Sequence, residues 1–463
     1  MNLTALTTCI ALLHLLGIFT AMHAVMHART PQGAIGWALG LLLLPYLTLL
    51  PYLYLGSSRF LGYHPERTTP QLGCLPTAPL VMVSEPATQR FAAISALQQR
   101  PFRDGHRLRL LIDGEAAFEV MLAAMACAKQ YLLVQFFIIH DDMLGRRLQQ
   151  VLLQRAAAGV RVCVLFDGVG SHALPQHYVE TLRKGGVEIH RFATHRWRNR
   201  FQLNFRNHRK IVVVDGSCAY VGGLNVGIEY LGLKPPLAPW RDTHLELRGP
   251  AVNDLQMLFA NDWHWITGAM PPLLPAVATD GHASALIVAS GPADPLETGS
   301  LFFTAAINAA RERVWLSTPY FVPDNAVRSA LQLAALRGVD VRVLIPSRPD
   351  HHTVFLASTL HAYHALRAGI GVFRYQPGFL HQKALLIDGD CAAIGSMNLD
   401  SRSFRLNFEV SALIVDQLFA SDVEAMLMQD FSHALAITEK EYRDAPYLRR
   451  VVMHVARLFD PLL

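Results

Sequence analysis

Charge is scarce in this chain. Asp, Glu, Lys and Arg make up 17% of its residues against 52% hydrophobic, a balance that excludes a disordered protein and points to a membrane component. Lysine is scarcer still: of 41 cationic residues only Lys129, Lys184, Lys210, Lys234, Lys383 and Lys440 are not arginine. Two of these six fall in the same local pattern, HxK. Lys and Arg are not interchangeable where a compact ammonium must sit on a phosphate oxygen, so the retained pair is a chemical clue. Cysteine is sparse and scattered, with no CxxC pair, which removes both a zinc framework and a disulfide framework. Cys163, Cys218 and Cys391 lie in apolar stretches and read as small buried hydrophobes with reduced thiols. No acidic excess exists either; the net charge of +5 suits an anionic surface, whether phospholipid or nucleic acid.

What the chain does have, first, is length in its apolar runs. Residues 3–26 are interrupted only by His14 and His23, and residues 34–55 carry no charge. Each is about the 20 residues that a bilayer core requires. The short link between them, with Pro31 and Gly33, predicts a transmembrane helical hairpin over 1–58. A cleaved signal peptide fits less well, because no basic leader precedes the first run and a second run follows at once. Arg59 and Arg67 follow the second run, against Arg29 in the link, so the positive-inside rule puts the carboxy-terminal bulk in the cytosol of a multi-pass inner-membrane protein. Residues 59–105 read as a linker and entry segment.

From about residue 106 the chain runs twice through one grammar. Strands are expected at 131–139, 159–167 and 185–192, and again at 313–322, 338–346 and 369–375, with helical patterns between them. Val-, Ile- and Leu-rich strands alternating with helices predict an α/β fold: two pseudo-symmetric α-β-α sandwich domains, 106–275 and 276–463. The copies differ by a basic, aromatic insert, HRWRNRFQLNFRN (195–207), which suits phosphates or a solvated loop equally.

Both copies then reach the same motif, NHRKIVVVDGSCAYVGGLN (207–225) and LHQKALLIDGDCAAIGSMN (380–398). In a strand alternate residues share a face, so His208 points with Lys210 and His381 with Lys383. Asp215-Gly216 and Asp388-Gly389 predict hairpin turns. The returning strand brings Asn225 and Asn398 back toward each histidine. Two His, two Lys and two Asn suit phosphodiester transfer. One imidazole attacks phosphorus while the other protonates the leaving alcohol and deprotonates the incoming one. The Lys and Asn side chains hold the non-bridging oxygens, where charge accumulates. No metal or other cofactor is required. Each imidazole wants a carboxylate to fix its tautomer, and Asp242 and Glu409, similarly placed before the last strand of each copy, are the candidates.

These residues resemble the phospholipase D superfamily, whose paired HxKxxxxD motifs build one site between two halves. More narrowly, the anchor, RNHRKIVVVDG, PWRDTHLELRGPAV, STPYFVPD and HQKALLIDG with GSMNLDSRSFRLNFE resemble bacterial cardiolipin synthases over essentially the whole chain. The resemblance implies transfer of a phosphatidyl group between two phosphatidylglycerol molecules, giving cardiolipin and glycerol. It makes His208, Lys210, Asp215, His381, Lys383 and Asp388 the catalytic set, with His208 as nucleophile, although spacing alone does not choose between the histidines. The family serine at Ser396 is replaced by Gly223 in the first copy, which puts a symmetric phosphate-binding role for that position in doubt.

The motifs hold a phosphate and not its acceptor, so a phospholipase D-type hydrolase and a transferase with another donor or acceptor remain rivals. A nucleic-acid phosphodiesterase would use the basic insert but gains little from a membrane hairpin, so no nucleic-acid partner is expected. The partners are phosphatidylglycerol, other phospholipids and the bilayer; the oligomeric state is not encoded. His351, His352, His361 and His364 lack an acidic or Cys partner at metal-ligand spacing and read as surface or helix histidines.

Overall fold

The computed structural model describes residues 3–28, 31–56, 60, 63, 83–192, 204–276, 279–461 and 463. Arg29, Arg59, Arg67 and most of the basic insert lie outside them. The chain divides into two compact units, Met1–His64 with Ala193–Phe205, and Pro65–Phe192 with Arg206–Leu463.

In the first unit, α1 (Leu3–His27) contains a stretch, Thr4–His27, long and apolar enough to cross a membrane. The second apolar run differs from the continuous helix expected of it. It forms α2 (Pro31–Leu43) and α3 (Pro45–Leu55), separated at Leu44, which leaves the helical region with φ −136° and ψ 57°. The cause is Pro45, which has no N–H for the Leu41 carbonyl. Beside the break, the Thr48 hydroxyl donates at 2.9 Å to the Gly40 carbonyl, which also accepts the Leu44 N–H at 2.8 Å. The Leu41 carbonyl faces α1 at Gly17, where a Cβ would stand 2.4 Å from it, so glycine is what allows the close approach. Ala21, Ala24, Leu41 and Tyr52 fill the contact, and Leu12, Leu16, Phe19, Leu43, Leu47 and Leu50 are exposed around it. One helix among the described residues thus meets the spanning criterion alone.

The second unit is built on one long sheet. Its first half supplies β1 (Arg103–Ile112), β2 (Tyr131–Phe136), β3 (Arg161–Asp167), β4 (Glu188–Phe192), β5 (Arg206–Asn207), β6 (Ile211–Val214), β7 (Cys218–Gly222), β8 (Trp240–Arg241) and β9 (Thr243–Arg248). The second half supplies β10 (Ala283–Ser290), β11 (Arg313–Ser317), β12 (Phe321–Val322), β13 (Asp340–Pro346), β14 (Gly371–Tyr375), β15 (Phe379–Leu380), β16 (Ala384–Ile387), β17 (Cys391–Gly395), β18 (Leu399–Asp400), β19 (Asn407–Val415) and β20 (Ala434–Ala436). Along the main path the order is β20-β14-β13-β11-β16-β17-β19-β10-β1-β9-β7-β6-β2-β3-β4. The two halves therefore mirror each other across the antiparallel pair β1–β10. The six strands expected from the sequence are present, with 313–322 split in two; the joining strands β1 and β10 were not anticipated.

Alternation along the strands assigns the layers. Ile211 and Val213 of β6, and Ala384 and Leu386 of β16, enter one core shared by both halves, which the helices Val252–Thr267 and Gln417–Ser432 cover. Val212 and Val214 face a core of the first half alone, and Leu385 and Ile387 one of the second. The entry segment is not a plain linker. Its helices Glu85–Arg90 and Ala92–Gln98, with the residues beside them, bury Ala87, Phe91, Ile94 and Phe102 in the core of the second half.

Candidate active site

Each HxK lies in a break between two short strands, not inside one strand. Residues 206–207 pair in parallel with β19 of the other half, and 211–214 return to β2 and β7 of their own. The second motif does the same, with β15 parallel to β8 before β16 rejoins β11 and β17. At the change of partner the His208 N–H donates to the Phe408 carbonyl at 2.9 Å and the His381 N–H to the Arg241 carbonyl at 2.8 Å. Each histidine is thereby stitched beside the carboxylate of the opposite half.

The consequence is a crossed pair of dyads. His208 Nδ1 lies 3.0 and 2.9 Å from the two Glu409 carboxylate oxygens, and His381 Nδ1 lies 2.6 Å from Asp242 Oδ2. Both acids are fully buried, as is Lys210; Lys383 and the two imidazoles keep at most 8% of their surface exposed. Lys210 Nζ donates to the His208 carbonyl at 2.6 Å. Lys383 Nζ donates to the His381 carbonyl and stands 2.8 Å from His381 Nδ1. The structure places Asp242 and Glu409, the two acids singled out from the sequence, each beside the imidazole of the other half.

Burial sets the electrostatics. It pushes both imidazoles down to about 4, despite the upward pull of Glu409 on His208 and of Asp242 on His381. Burial also lowers both ammoniums, Lys383 to about 8. For the acids, burial acts upward but is outweighed: His208 and Lys210 hold Glu409 below its usual range, and Lys383 and His381 do so for Asp242. Each histidine feels both ammoniums, so the two motifs share one electrostatic environment. With Nδ1–H given to a carboxylate, the free Nε2 lone pair of a neutral imidazole is the nucleophilic atom.

The two carboxylates are supported differently. Ser396 Oγ donates to Glu409 at 2.5 Å and Asn407 Nδ2 at 3.1 Å. In the first half the shorter Asp242 occupies the space where a side chain at position 223 would begin, since a Cβ on Gly223 would lie 2.1 Å from Asp242 Oδ1. Ser396 therefore steadies a carboxylate, and its absence at Gly223 accompanies the change from Glu to Asp.

Asp215 and Asp388 are not brought to the imidazoles. Each closes a hairpin at the far end of its strand, at φ 49° and 54°. The Asp215 carboxylate accepts the backbone N–H groups of Lys129, Gln130 and Tyr131, each at 2.8 Å. Asp388 accepts those of Arg311, Glu312 and Arg313, and pairs with Arg90 at 2.8 Å. These contacts pin the strand that carries each HxK to its neighbour. Asn225 is turned into the protein, its Oδ1 accepting from Ile138 N and its Nδ2 donating to Tyr230 OH. Asn398 keeps a buried Oδ1 without a hydrogen-bond partner.

Several residues escaped the sequence reading. Phe137 packs edge-on to His208 at 4.9 Å, and Trp240 lies 5.0 Å from His381. Asp262 accepts from Arg209, Asn207 and Gln135, and Asp430 from Arg241 and Gln382, so each half braces its HxK on a buried acid. A signal existed: Asp262 stands seven residues after Leu255 and Asp430 seven after Val423, each an acid on the apolar stripe of its helix. His140, Asp142 and Glu229 could together hold a metal ion. Asp142 is, however, engaged with the N–H groups of Leu144, Gly145 and Ile228, and His140 with Glu229 at 3.2 Å.

The family model described as "Cardiolipin synthase, PLD-like domain" matches twice, over residues 121–235 and 303–431, once around each HxK. Cardiolipin synthase A of Pseudomonas aeruginosa strain LESB58 is 56% identical over 97% of this chain and 95% of its own length. The chain belongs to the cardiolipin synthase family. Cardiolipin synthase A of Pseudomonas putida strain GB-1 is 54% identical over 98% of both chains. Among solved structures, the phosphatidylserine synthase of Haemophilus influenzae Rd KW20 shares the fold at TM-score 0.61 and 15% identity, covering 81% of this chain and all of that one. The two matched segments place the cardiolipin synthase repeat on the two halves of the sheet, and the family accords with a membrane-associated protein.

Proposed function

We propose that this chain is a cardiolipin synthase that moves a phosphatidyl group from one phosphatidylglycerol to the primary hydroxyl of another. The observation that carries the chemistry is the crossed dyad, two imidazoles each backed by the other half's carboxylate. His208, neutral, attacks phosphorus through Nε2; the bond to the glycerol headgroup breaks, and His381, entering the step as an imidazolium held by Asp242, gives its Nε2 proton to the departing glycerol oxygen and is left neutral. The second phosphatidylglycerol then gives its hydroxyl proton to His381 while its oxygen displaces His208 from phosphorus. Lys210, Lys383 and Asn398 hold the non-bridging oxygens, with Asn398 Oδ1 an acceptor still open to a ligand hydroxyl, while Asn225, expected from the sequence to share this task, is engaged with Ile138 and Tyr230. Asp215 and Asp388 serve the framework, and the units run 1–58, 59–105, 106–275 and 276–463 as anchor, entry segment and two repeats. α1 crosses the inner membrane and the kinked α2–α3 pair returns, leaving the catalytic halves in the cytosol.

The test is reconstitution with phosphatidylglycerol labelled in its headgroup and acyl chains. Cardiolipin with an equal amount of glycerol is expected, and neither forms in His208→Ala or His381→Ala. Phosphatidic acid in place of cardiolipin makes the protein a hydrolase, and no phospholipid turnover contradicts the reading.

A further inference from the structure

The helix Tyr447–Arg457 has a face that the fold leaves open. Met453 and Ala456 are buried, and Ala456 joins Val322 and Ala357 in a small core against the helix His352–Leu366. On the other side Leu448, Val451, Val452, Val455, Leu458 and Phe459 are exposed, Leu448 by 73% and Leu458 by 77%. At 100° per residue these positions, with exposed Tyr447, make one continuous apolar stripe. From Tyr447 to Phe459 no acidic residue occurs, whereas Arg449, Arg450, His454 and Arg457 do. A stripe of this kind bounded by arginines is complementary to a surface with an apolar interior and anionic headgroups.

The helix is also tied to the rim of the active site. β12, which contributes Val322 to the small core, pairs with β18 directly after Asn398. The Leu463 carbonyl accepts the Arg402 N–H at 2.8 Å, joining the segment after the helix to the short helix Ser401–Arg405 that follows β18. A bilayer against the stripe would lie beside the second motif.

We propose that Tyr447–Arg457 is an interfacial helix that lays its apolar face into an anionic phospholipid surface and so holds the catalytic unit against its substrate's leaflet. The inference rests on membrane association and not on which phospholipid reacts. The test uses the full chain in vesicles, in a background with Cys9, Cys74 and Cys127 changed to Ser and a fluorophore on Val452→Cys. Brominated phosphatidylglycerol should quench this fluorophore about twofold or more, and brominated phosphatidylcholine alone should do so less. The quenching does not depend on turnover, so an error in the assigned substrate leaves it intact. In parallel, Val451→Glu/Val452→Glu should raise the lipid concentration for half-maximal rate about tenfold or more with kcat unchanged, and Val451→Leu/Val452→Leu should not. An unquenched fluorophore in active vesicles overturns the proposal. So does a signal that grows with protein concentration in detergent, which would make the stripe an interface between copies of the chain.

Discussion

His208 and Glu409 stand 201 residues apart in the chain and 2.9 Å apart in the site. The pair crosses from one half to the other, and His381 with Asp242 crosses back at 2.6 Å. Neither half carries a complete dyad. The exchange follows from backbone pairing, because β5 lies against β19 and β15 runs beside β8.

Removing a carboxylate should therefore disable the histidine of the other half. Glu409→Gln is expected to lower kcat by about 10³- to 10⁴-fold, the scale seen when a buried histidine loses the acid that fixes its tautomer. The double variant His208→Ala/Glu409→Gln should be no worse than His208→Ala, whereas additive losses would show that the two act separately. Steady-state rates of the three variants decide it.

The acid limb of the pH profile should lie low. kcat/KM reports the free enzyme, whose imidazoles are held near 4, so on the acid side activity should fall only as pH drops through about 4 and the nucleophile takes a proton. On the basic side it should fall as His381 loses the proton that it must give to glycerol, and further as pH rises through about 8, where Lys383 loses its charge. The phosphodiester does not titrate in this window. An acid limb at the ordinary histidine value, near 6.5, would contradict the buried, desolvated site.

Asp215→Asn should cost stability and spare chemistry. An amide cannot accept the three N–H groups now shared by the carboxylate, so a loss of about 1–3 kcal/mol is expected in thermal or denaturant unfolding. The folded fraction should keep its kcat within a few-fold. A loss of several orders of magnitude in a fully folded variant would return Asp215 to the catalytic groups.

The unequal support of the two carboxylates also predicts unequal substitutions. Gly223→Ala drives a Cβ into Asp242 and should cost about 100-fold in kcat by displacing the acid from His381. Ser396→Gly removes only one donor to Glu409 and should cost about tenfold. Parallel assays of the two purified variants give the order.

Much of this was legible in the residues themselves. Repeated HxK, the Asp-Gly turns and the strands expected at 131–139 and 338–346 follow from local pattern, and Asp242 and Glu409 were singled out by their matched places. The crossing was not legible, because it depends on β5 and β15 leaving their own half, a non-local pairing that two-residue strands do not advertise. Asp215 and Asp388 were read as catalytic from the motif, while their carboxylates are taken by backbone donors brought from 129–131 and 311–313. The break at Leu44 was signalled by Pro45 in the run read as one helix. β1 was hidden by its polar and charged start, Arg103–Asp104–Gly105–His106.

The most direct test of the shared site is acid-free rapid quenching during turnover of phosphatidylglycerol labelled at its phosphorus, followed by peptide mapping. One label per chain on His208 is predicted, absent in His208→Ala and both formed and released slowly in Asp242→Asn. Label on both histidines, or none while cardiolipin accumulates, would contradict a single site made by both halves.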